Sequence, residues 1–567
     1  MNNLTVIDFF CGAGGFSEGF RQQGFKIIRG YDNWKPAIET FNHNFDCDSE
    51  IKNILDFQYS IEEIEKLPDT DVIIGSPPCV TFSSSNISGK ADKSTGITLT
   101  QIFLKIVALK KWKKNSKLKA WFMENVPSSI KHLGLEYTFE DLGLAEWAAK
   151  NKIGKTKVAI KLEGNQLIVN SADYGSPQSR KRAISGEIIK CKKLIIPPKT
   201  HGKNAISKKK WVTVEEIKNR IPQPFSKQKS NIVQDPSYLG LKLDQSLLTD
   251  HYYDTGLYQC EWKQSKFLKI NHPYMGKMSF PENLNRPSRT ITATKIGTSR
   301  EAIIYKSELS RKGNGEFRTP TVREAACIMS FPITYQFIGS ESVKWRLIGN
   351  AVCPTVARAF AKELRRQLDV DNINQPLVEK KPNLKGVNNL NSFKLKEYLH
   401  PPKRNRGSRF RRHAFKDGNI TVTLSNYNIE KNEKKISKWI TSVQYGNGKG
   451  FPTYNFCDNK FKELEQCLKG IPKGKDFIHR INDSFTNKIA NGKILQEMYE
   501  KQNSEGCYLE PTILIEEVGN IINDMEIEGQ KFYQNQKTIF LNKNNVPLKQ
   551  VFALYAINKI SSVANNK

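Results

Sequence analysis

Two short segments combine residue types that can form and break a covalent bond. In Gly75-Ser76-Pro77-Pro78-Cys79 a thiol follows paired prolines, which fix the backbone where the apolar run Val72-Ile73-Ile74 gives way to a loop. Met123-Glu124-Asn125-Val126-Pro127 brings a carboxyl group to the end of another apolar run. A thiol and a carboxylic acid at one edge suit nucleophilic addition with acid assistance. Taken singly, Cys79 also reads as a small buried hydrophobe, the ordinary fate of a free cysteine. A third segment, Asp8-Phe9-Phe10-Cys11-Gly12-Ala13-Gly14-Gly15-Phe16, follows an apolar strand and opens a helix. Its glycines can turn tightly and let a ligand approach the backbone, and a helix N-terminus favours a carboxylate or phosphate. Asp32, after the next strand, is placed either to accept hydrogen bonds from ribose hydroxyls or to cap a helix.

These residues need a frame that brings strand ends together. Strand patterns at 4–10, 26–29, 71–74 and 120–123 alternate with helical patterns from Ser17, from Pro36 and near 102–109. Such alternation predicts a parallel sheet covered by helices on both faces, with functional residues at the carboxyl ends of the strands. After Lys190 the chain becomes irregular up to about Pro287, with a Lys208–Lys210 run. A helix then returns at Val322–Met329, a turn at Ser330-Phe331-Pro332, and a second helix over 354–368. Polar residues 369–391 read as a linker. Beyond it, Val422-Thr423-Leu424 and Glu510–Glu517 read as strands, and Val546–Ser561 as an amphipathic helix.

A chain of 567 residues is expected to hold two to four domains. Its net charge of +31 favours a polyanionic partner, nucleic acid first. Residues 371–567 carry +12 of that excess, so neither part of the chain accounts for it alone. Ten cysteines without a C-x-x-C pair argue against a zinc ribbon, a redox motif or a disulfide framework. With no apolar run near the ~20 residues of a membrane span and no signal-peptide pattern, a soluble cytoplasmic protein is expected.

Read in order, the motifs resemble the cytosine-5 DNA methyltransferase family of prokaryotic restriction–modification systems. Phe10–Phe16 is similar to the family's cofactor motif F-x-G-x-G-G, Pro78-Cys79 to its Pro-Cys and Glu124-Asn125-Val126 to its Glu-Asn-Val. Gln178-Ser179-Arg180-Lys181-Arg182 is similar to Gln-x-Arg-x-Arg. Arg286-Pro287 with Thr290-Ile291 resembles the stretch after the target recognition domain, and Gly349-Asn350-Ala351-Val352 resembles the closing motif. The resemblance implies an α/β, doubly wound Rossmann-like methyltransferase domain at 1–190, completed by 318–368. It also implies a target recognition domain at 191–317. Outside the resemblance, composition predicts the linker at 369–391, and the strand and helix patterns beyond it predict an extra C-terminal α+β domain at 392–567.

The resemblance further implies S-adenosyl-L-methionine as cofactor. Phe10 would stack on adenine, Asp32 hold the ribose, and Gly12, Gly14 and Gly15 face the methionine end. Asn53 and Ile54 stand where the family meets the adenine amino group, usually with Asp-Ile, and Pro78 and Asn350 are placed with the cofactor residues. Cys79 would add to cytosine C6, Glu124 would hold N3, and Arg182 and Arg180 would fix the base and Cys79. The target base would be flipped out of duplex DNA. One departure is Val80, where the family usually has Gln after Pro-Cys; another is the loop Ser83–Thr98, which lacks the usual Arg and leaves Lys90 or Lys93 to contact phosphate. Lys208, Lys209 and Lys210, with the aromatic Trp211, Tyr252, Tyr253 and Trp262, occupy the recognition position. Arg404 and Arg406 belong to a basic cluster at 401–412 suited to phosphate.

No metal is expected. The partners expected are double-stranded DNA and a cognate restriction endonuclease acting independently of a monomeric methyltransferase. An RNA cytosine methyltransferase, a methyltransferase–endonuclease fusion and a non-enzymatic DNA-binding regulator are the alternatives.

Overall fold

The computed structural model describes residues 4–78, 94–224, 232–271, 278–309, 315–371, 373–387, 403–415, 420–431, 434–445, 453–527, 532–534, 539–540 and 545–567. The expectations for Cys79, Val80, Lys90 and Lys93 lie outside these residues. The described chain divides into two compact units, one up to residue 387 and one from residue 403.

The first unit is built on a seven-stranded sheet. Its first five strands are β1 (Thr5–Phe9), β2 (Lys26–Asp32), β3 (Glu50–Ile51), β4 (Val72–Gly75) and β5 (Ala120–Asn125). With β6 (Gln166–Asn170) and β7 (Lys181–Ile188), they lie in the order β3-β2-β1-β4-β5-β7-β6. The first five are parallel, as expected; β7 runs antiparallel to β5, and β6 antiparallel to β7, so the sheet is mixed. The two added strands join as a pair. The Gln166–Asn170 and Lys181–Ile188 runs are linked by a short connection, which permits only antiparallel pairing, since parallel neighbours need a crossover of a dozen residues or more.

The central strands are apolar on both faces, and alternate residues feed two separate cores. Val6, Ile74 and Phe122 pack with Phe20 of helix α1 (Gly15–Arg21) and with Phe360 and Leu364 of the helix Pro354–Gln367. Ile7, Phe9, Ile73, Trp121 and Met123 face the other way, onto Phe103, Val107 and their neighbours in the helix Ser94–Trp112. The chain therefore returns from beyond residue 318 to cover the face its first helix began. Gly19 permits this: a Cβ there would lie 2.4 Å from the Ala357 side chain and 2.5 Å from the Arg358 nitrogen.

Among the described residues between 191 and 317 regular structure is sparse, with two-to-three-residue strands and two α-helices, Val214–Arg220 and Gln259–Ile270. Val214, Tyr253, Ile291 and Tyr305 of this stretch are buried in the same core as Phe20 and Phe360. Residues 373–387, expected within a linker, run along the unit instead. The Leu377 N–H donates to the Gln22 carbonyl at 3.0 Å, and the Thr334 hydroxyl to the Glu379 carbonyl at 2.9 Å.

The second unit has its own core. A long hairpin, Ile420–Lys431 with Lys434–Tyr445, is flanked by short strands at Arg411–Arg412 and Thr453–Asn455. Helices pack on it around Trp439, Phe477 and Phe552. Two expectations are corrected. Residues 511–524 are a helix, not a strand, because Pro511 stands at its first turn and the Glu510 side chain accepts the Ile513 N–H at 3.2 Å. The last helix, Leu548–Asn566, is buried on nearly every side, with the whole run Val551–Ile557 inside, so it is a central core helix and not an amphipathic surface one.

Candidate active site

The parallel strands β1, β2, β4 and β5 all end at one edge of the sheet, and the candidate residues meet there. At the end of β1 the backbone turns through positive φ at Phe10 (55°), Gly12 (53°) and Gly14 (81°) before α1 begins. The turn is closed by the Gly14 N–H on the Cys11 carbonyl at 2.8 Å, and the Tyr335 hydroxyl donates to the Ala13 carbonyl. Gly15 is forced by packing, since a Cβ there would lie 2.1 Å from the Val352 carbonyl oxygen. Gly12 is different: nothing lies within 4 Å of where its Cβ would be, so open space stands over the turn.

Two carboxylates face this turn. Asp32, at the end of β2, accepts the Gly12 N–H at 3.0 Å and the Trp34 N–H at 2.9 Å. Burial pushes its carboxyl above the ordinary range, against the pull of those N–H groups. Asp8, inside β1, accepts the Ser17 hydroxyl at 2.7 Å on one oxygen, while the other oxygen is buried with no hydrogen-bond partner. Burial pushes Asp8 up to about 8, and the nearby Asp32 charge adds to the shift. Trp34 lies under the Arg346 guanidinium, 4.5 Å from the ring centre. Open space over a positive-φ glycine and a carboxylate holding the turn form a site that can take hydroxyl donors.

The sequence alone did not single out Asp8, Trp34 or Arg346. Asp8 had a signal, an acid within an otherwise apolar strand; Arg346 had none, since it meets Trp34 only through the fold. Asn53 is exposed and caps the next turn, accepting the Leu55 N–H at 3.2 Å, and Ile54 is buried behind it. Phe10 is partly buried, Pro78 is exposed, and Asn350 is exposed at the end of the helix Glu341–Asn350.

Glu124 and Asn125 close β5. The Asn125 amide donates to the Pro77 carbonyl at 3.3 Å, which ties the segment entering Cys79 to the strand end that carries Glu124. Arg182 Nε stands 2.8 Å from Glu124 Oε1; the contact is an ion pair, and that oxygen lacks an aligned hydrogen bond. Glu124 is 7 % exposed, and it shares a small cavity with Arg182, Val169, Val352 and Cys353. Burial pushes the Cys353 thiol up, against the pull of Arg180. Arg180 lines the same cavity, and its guanidinium donates to the Ile291 carbonyl at 3.1 Å and the Gly349 carbonyl at 3.0 Å. Gln178 accepts the Ile291 N–H at 3.3 Å. The Gln-x-Arg-x-Arg, Thr-Ile and Gly-Asn-Ala-Val segments, far apart in sequence, are thus fastened to one another behind the carboxylate.

Lys208, Lys209 and Lys210 are exposed on a loop beside Trp211. Of the aromatic residues expected to face nucleic acid, Tyr253 is buried and accepts the Val322 N–H at 3.0 Å, and Trp262 packs on Phe280 and Phe317. In the second unit Arg406 is exposed, whereas Arg404 is held over the Tyr499 ring, 4.6 Å from its centre, and donates to Gln502 at 2.9 Å. Each cysteine whose side chain is described is a free thiol, and among the described residues no cluster of three metal-ligating side chains occurs. No helix of the described residues is long and apolar enough to cross a membrane.

The sequence profile of C-5 cytosine-specific DNA methylases matches residues 4–366, the span that holds every motif of this site. The chain belongs to that family. As a member it is a DNA cytosine methyltransferase, with a methyl donor of the S-adenosylmethionine kind. It is 28% identical over 376 residues to the type II methyltransferase M.HgiDI of Herpetosiphon aurantiacus, covering 66% of this chain and 97% of that one. To M.HindV of Haemophilus influenzae it is 27% identical over 368 residues, 64% of this chain and 96% of the relative. Among solved structures, the Entamoeba histolytica methyltransferase EhMeth is 18% identical with a TM-score of 0.39, covering 65% of this chain and 99% of that one. The two relatives are matched over about two thirds of this chain.

Proposed function

We propose that this methyltransferase acts on a cytosine flipped out of duplex DNA, through a covalent bond between Cys79 and C6 of the base. The observation that supports the reading is the tie between Asn125 and Pro77, which holds the chain leading toward Cys79 at the strand end that carries Glu124, itself paired with Arg182. Addition of the Cys79 thiolate to C6 breaks the ring's conjugation and moves electron density onto C5. Glu124 holds N3 and stabilises the charge that the addition develops on the ring. Arg182 orients Glu124, and Arg180 positions both by fastening the segments behind them. Once C5 carries its methyl group, loss of the C5 proton and departure of the Cys79 thiolate restore the aromatic base.

The residues at the glycine turn fit S-adenosyl-L-methionine: Asp32 for the ribose, Phe10 for the adenine face, Asn53 and Ile54 for its edge, and Gly12, Gly14 and Gly15 for the methionine end, with Pro78 and Asn350 bordering the site. When bound, that cofactor supplies an electrophilic methyl group on a sulfonium. Lys90, Lys93, Lys208, Lys209 and Lys210 contact phosphates of the duplex, and Arg404 and Arg406 add charge from the second unit. The setting is a type II restriction–modification system, with the chain acting as a monomer and its endonuclease as a separate protein.

The test is covalent trapping. A duplex bearing 5-fluorocytosine at the methylated position should form a stable adduct with the full chain, and peptide mapping should place it on Cys79. Cys79→Ala should lose adduct and methyl transfer while still binding DNA. An adduct at another cysteine, or methyl transfer into tRNA and not into duplex DNA, would refute the reading.

A further inference from the structure

A second polar opening borders the strand pair that carries Arg182. Val169 pairs with Arg182, and both line the Glu124 cavity; the next pair, Asn170 with Lys181, joins Val169 in lining a cleft of about 370 Å³. The floor of this cleft is Asp173, which is 8 % exposed. One Asp173 oxygen holds the Lys199 ammonium at 2.8 Å, and the other accepts the Trp211 indole N–H at 3.0 Å. Around them stand Lys181, Lys203 and His201. Among the described residues neither Lys181 nor Lys203 has an acidic partner, so a single buried carboxylate faces three ammonium groups. Trp211 is 43 % exposed and is seated on Gly202, where a Cβ would lie 2.5 Å from the indole nitrogen. The site is thus preformed, with excess positive charge, a fixed indole and room for a group larger than water.

We propose that this cleft binds a backbone phosphate of the duplex beside the target cytosine, with Lys181, Lys199 and Lys203 as its cations and Trp211 packed against the adjoining sugar. The proposal deepens the methyltransferase reading and rests on it for the identity of the duplex. It is carried by position as well as charge. Lys181 and Arg182 are consecutive residues on β7, so the cleft borders the same strand whose Arg182 reaches Glu124. Lys208–Lys210, the basic run conspicuous in the sequence, do not line it; the cleft draws its lysines from three places that no run marks.

The experiment compares Lys181→Gln/Lys203→Gln with Lys150→Gln/Lys152→Gln in the full chain. The second pair removes the same charge from exposed positions at the end of the helix Ala145–Lys150. Affinity for a duplex containing the methylated sequence and for one lacking it is measured against salt. The cleft variant should bind both duplexes about tenfold or more weakly, by similar factors, and its slope of log affinity against log salt should fall by about 1, at ~0.9 for the one phosphate that is no longer neutralised. The control pair should leave the slope near wild type. Equal weakening by the two pairs would mean a bulk charge effect, weakening confined to the specific duplex would mean base reading, and an unchanged slope would mean that no phosphate sits in the cleft; each overturns the proposal. If the wild-type chain fails to methylate DNA, the functional reading falls separately, since these binding curves do not depend on turnover.

Discussion

Asp8 is the residue whose chemistry can be tested without any substrate. Its carboxyl titrates near 3.8 when the chain is unfolded and is pushed up to about 8 by burial in β1. Between those values the folded state binds a proton that the unfolded state has released, so Asp8 makes stability fall as pH rises. Its contribution is intact below about pH 4, and the loss is complete once pH passes about 8, at up to about 1.4 kcal/mol for each pH unit crossed. Asp8→Asn keeps the shape and removes the titration. Denaturation from pH 4 to 9 should show the variant gaining on the wild type as pH rises, then running parallel to it; curves parallel throughout would mean that Asp8 is ionised in the fold. The same residue marks a limit of sequence reading. Glu124 and Asp32 stand at strand ends, where motif and position coincide. Asp8 hides in an apolar run, and the Arg346–Trp34 contact joins residues more than 300 positions apart.

At the scale of elements, periodicity placed the parallel strands and the helices between them, because each buries a face whose spacing is written locally. It failed where a boundary signal competes with composition. Thr512, Ile513 and Ile515 favour a strand, but Pro511 and the Glu510 cap start a helix, and once started its length lets Leu514, Val518 and Ile522 share one buried side. It also missed the antiparallel pair β6 and β7, whose direction is set by a short connection and not by strand composition. The tight packing of α1 against the helix Pro354–Gln367 depends on Gly19. Gly19→Ala gains up to about 1 kcal/mol of helix propensity but places a methyl group against the Arg358 nitrogen and the Pro354 oxygen, both at 2.5 Å. Backbone cannot yield as a side-chain tip does, and overpacking of this kind costs about 1–3 kcal/mol. Urea denaturation should therefore show a net loss of stability; a more stable variant would mean the two helices do not meet so closely.

The whole molecule poses the question of what the second unit adds. Its hairpin and helices enclose a hydrophobic core of their own, and the family match ends at residue 366. The residues proposed for catalysis and base recognition all precede residue 387, and the stretch 373–387 is bonded to the first unit, so a cut after residue 387 keeps those bonds. Residues 371–567 nevertheless carry +12, and exposed Arg406, Arg409 and Arg411 lie in their basic cluster. Charge without base contacts raises affinity for every sequence alike and leaves the preferred sequence unchanged. A chain ending at residue 387 should therefore fold, methylate the same DNA sequence as the full chain, bind duplex DNA more weakly at low salt, and show a shallower slope of log affinity against log salt. An insoluble product would make the second unit part of the catalytic fold. A changed target sequence would give that unit a share in base reading, and magnesium-dependent cleavage of unmethylated DNA by the full chain would make it a nuclease, so that its positive charge would serve to hold a strand for cutting and not merely to add affinity.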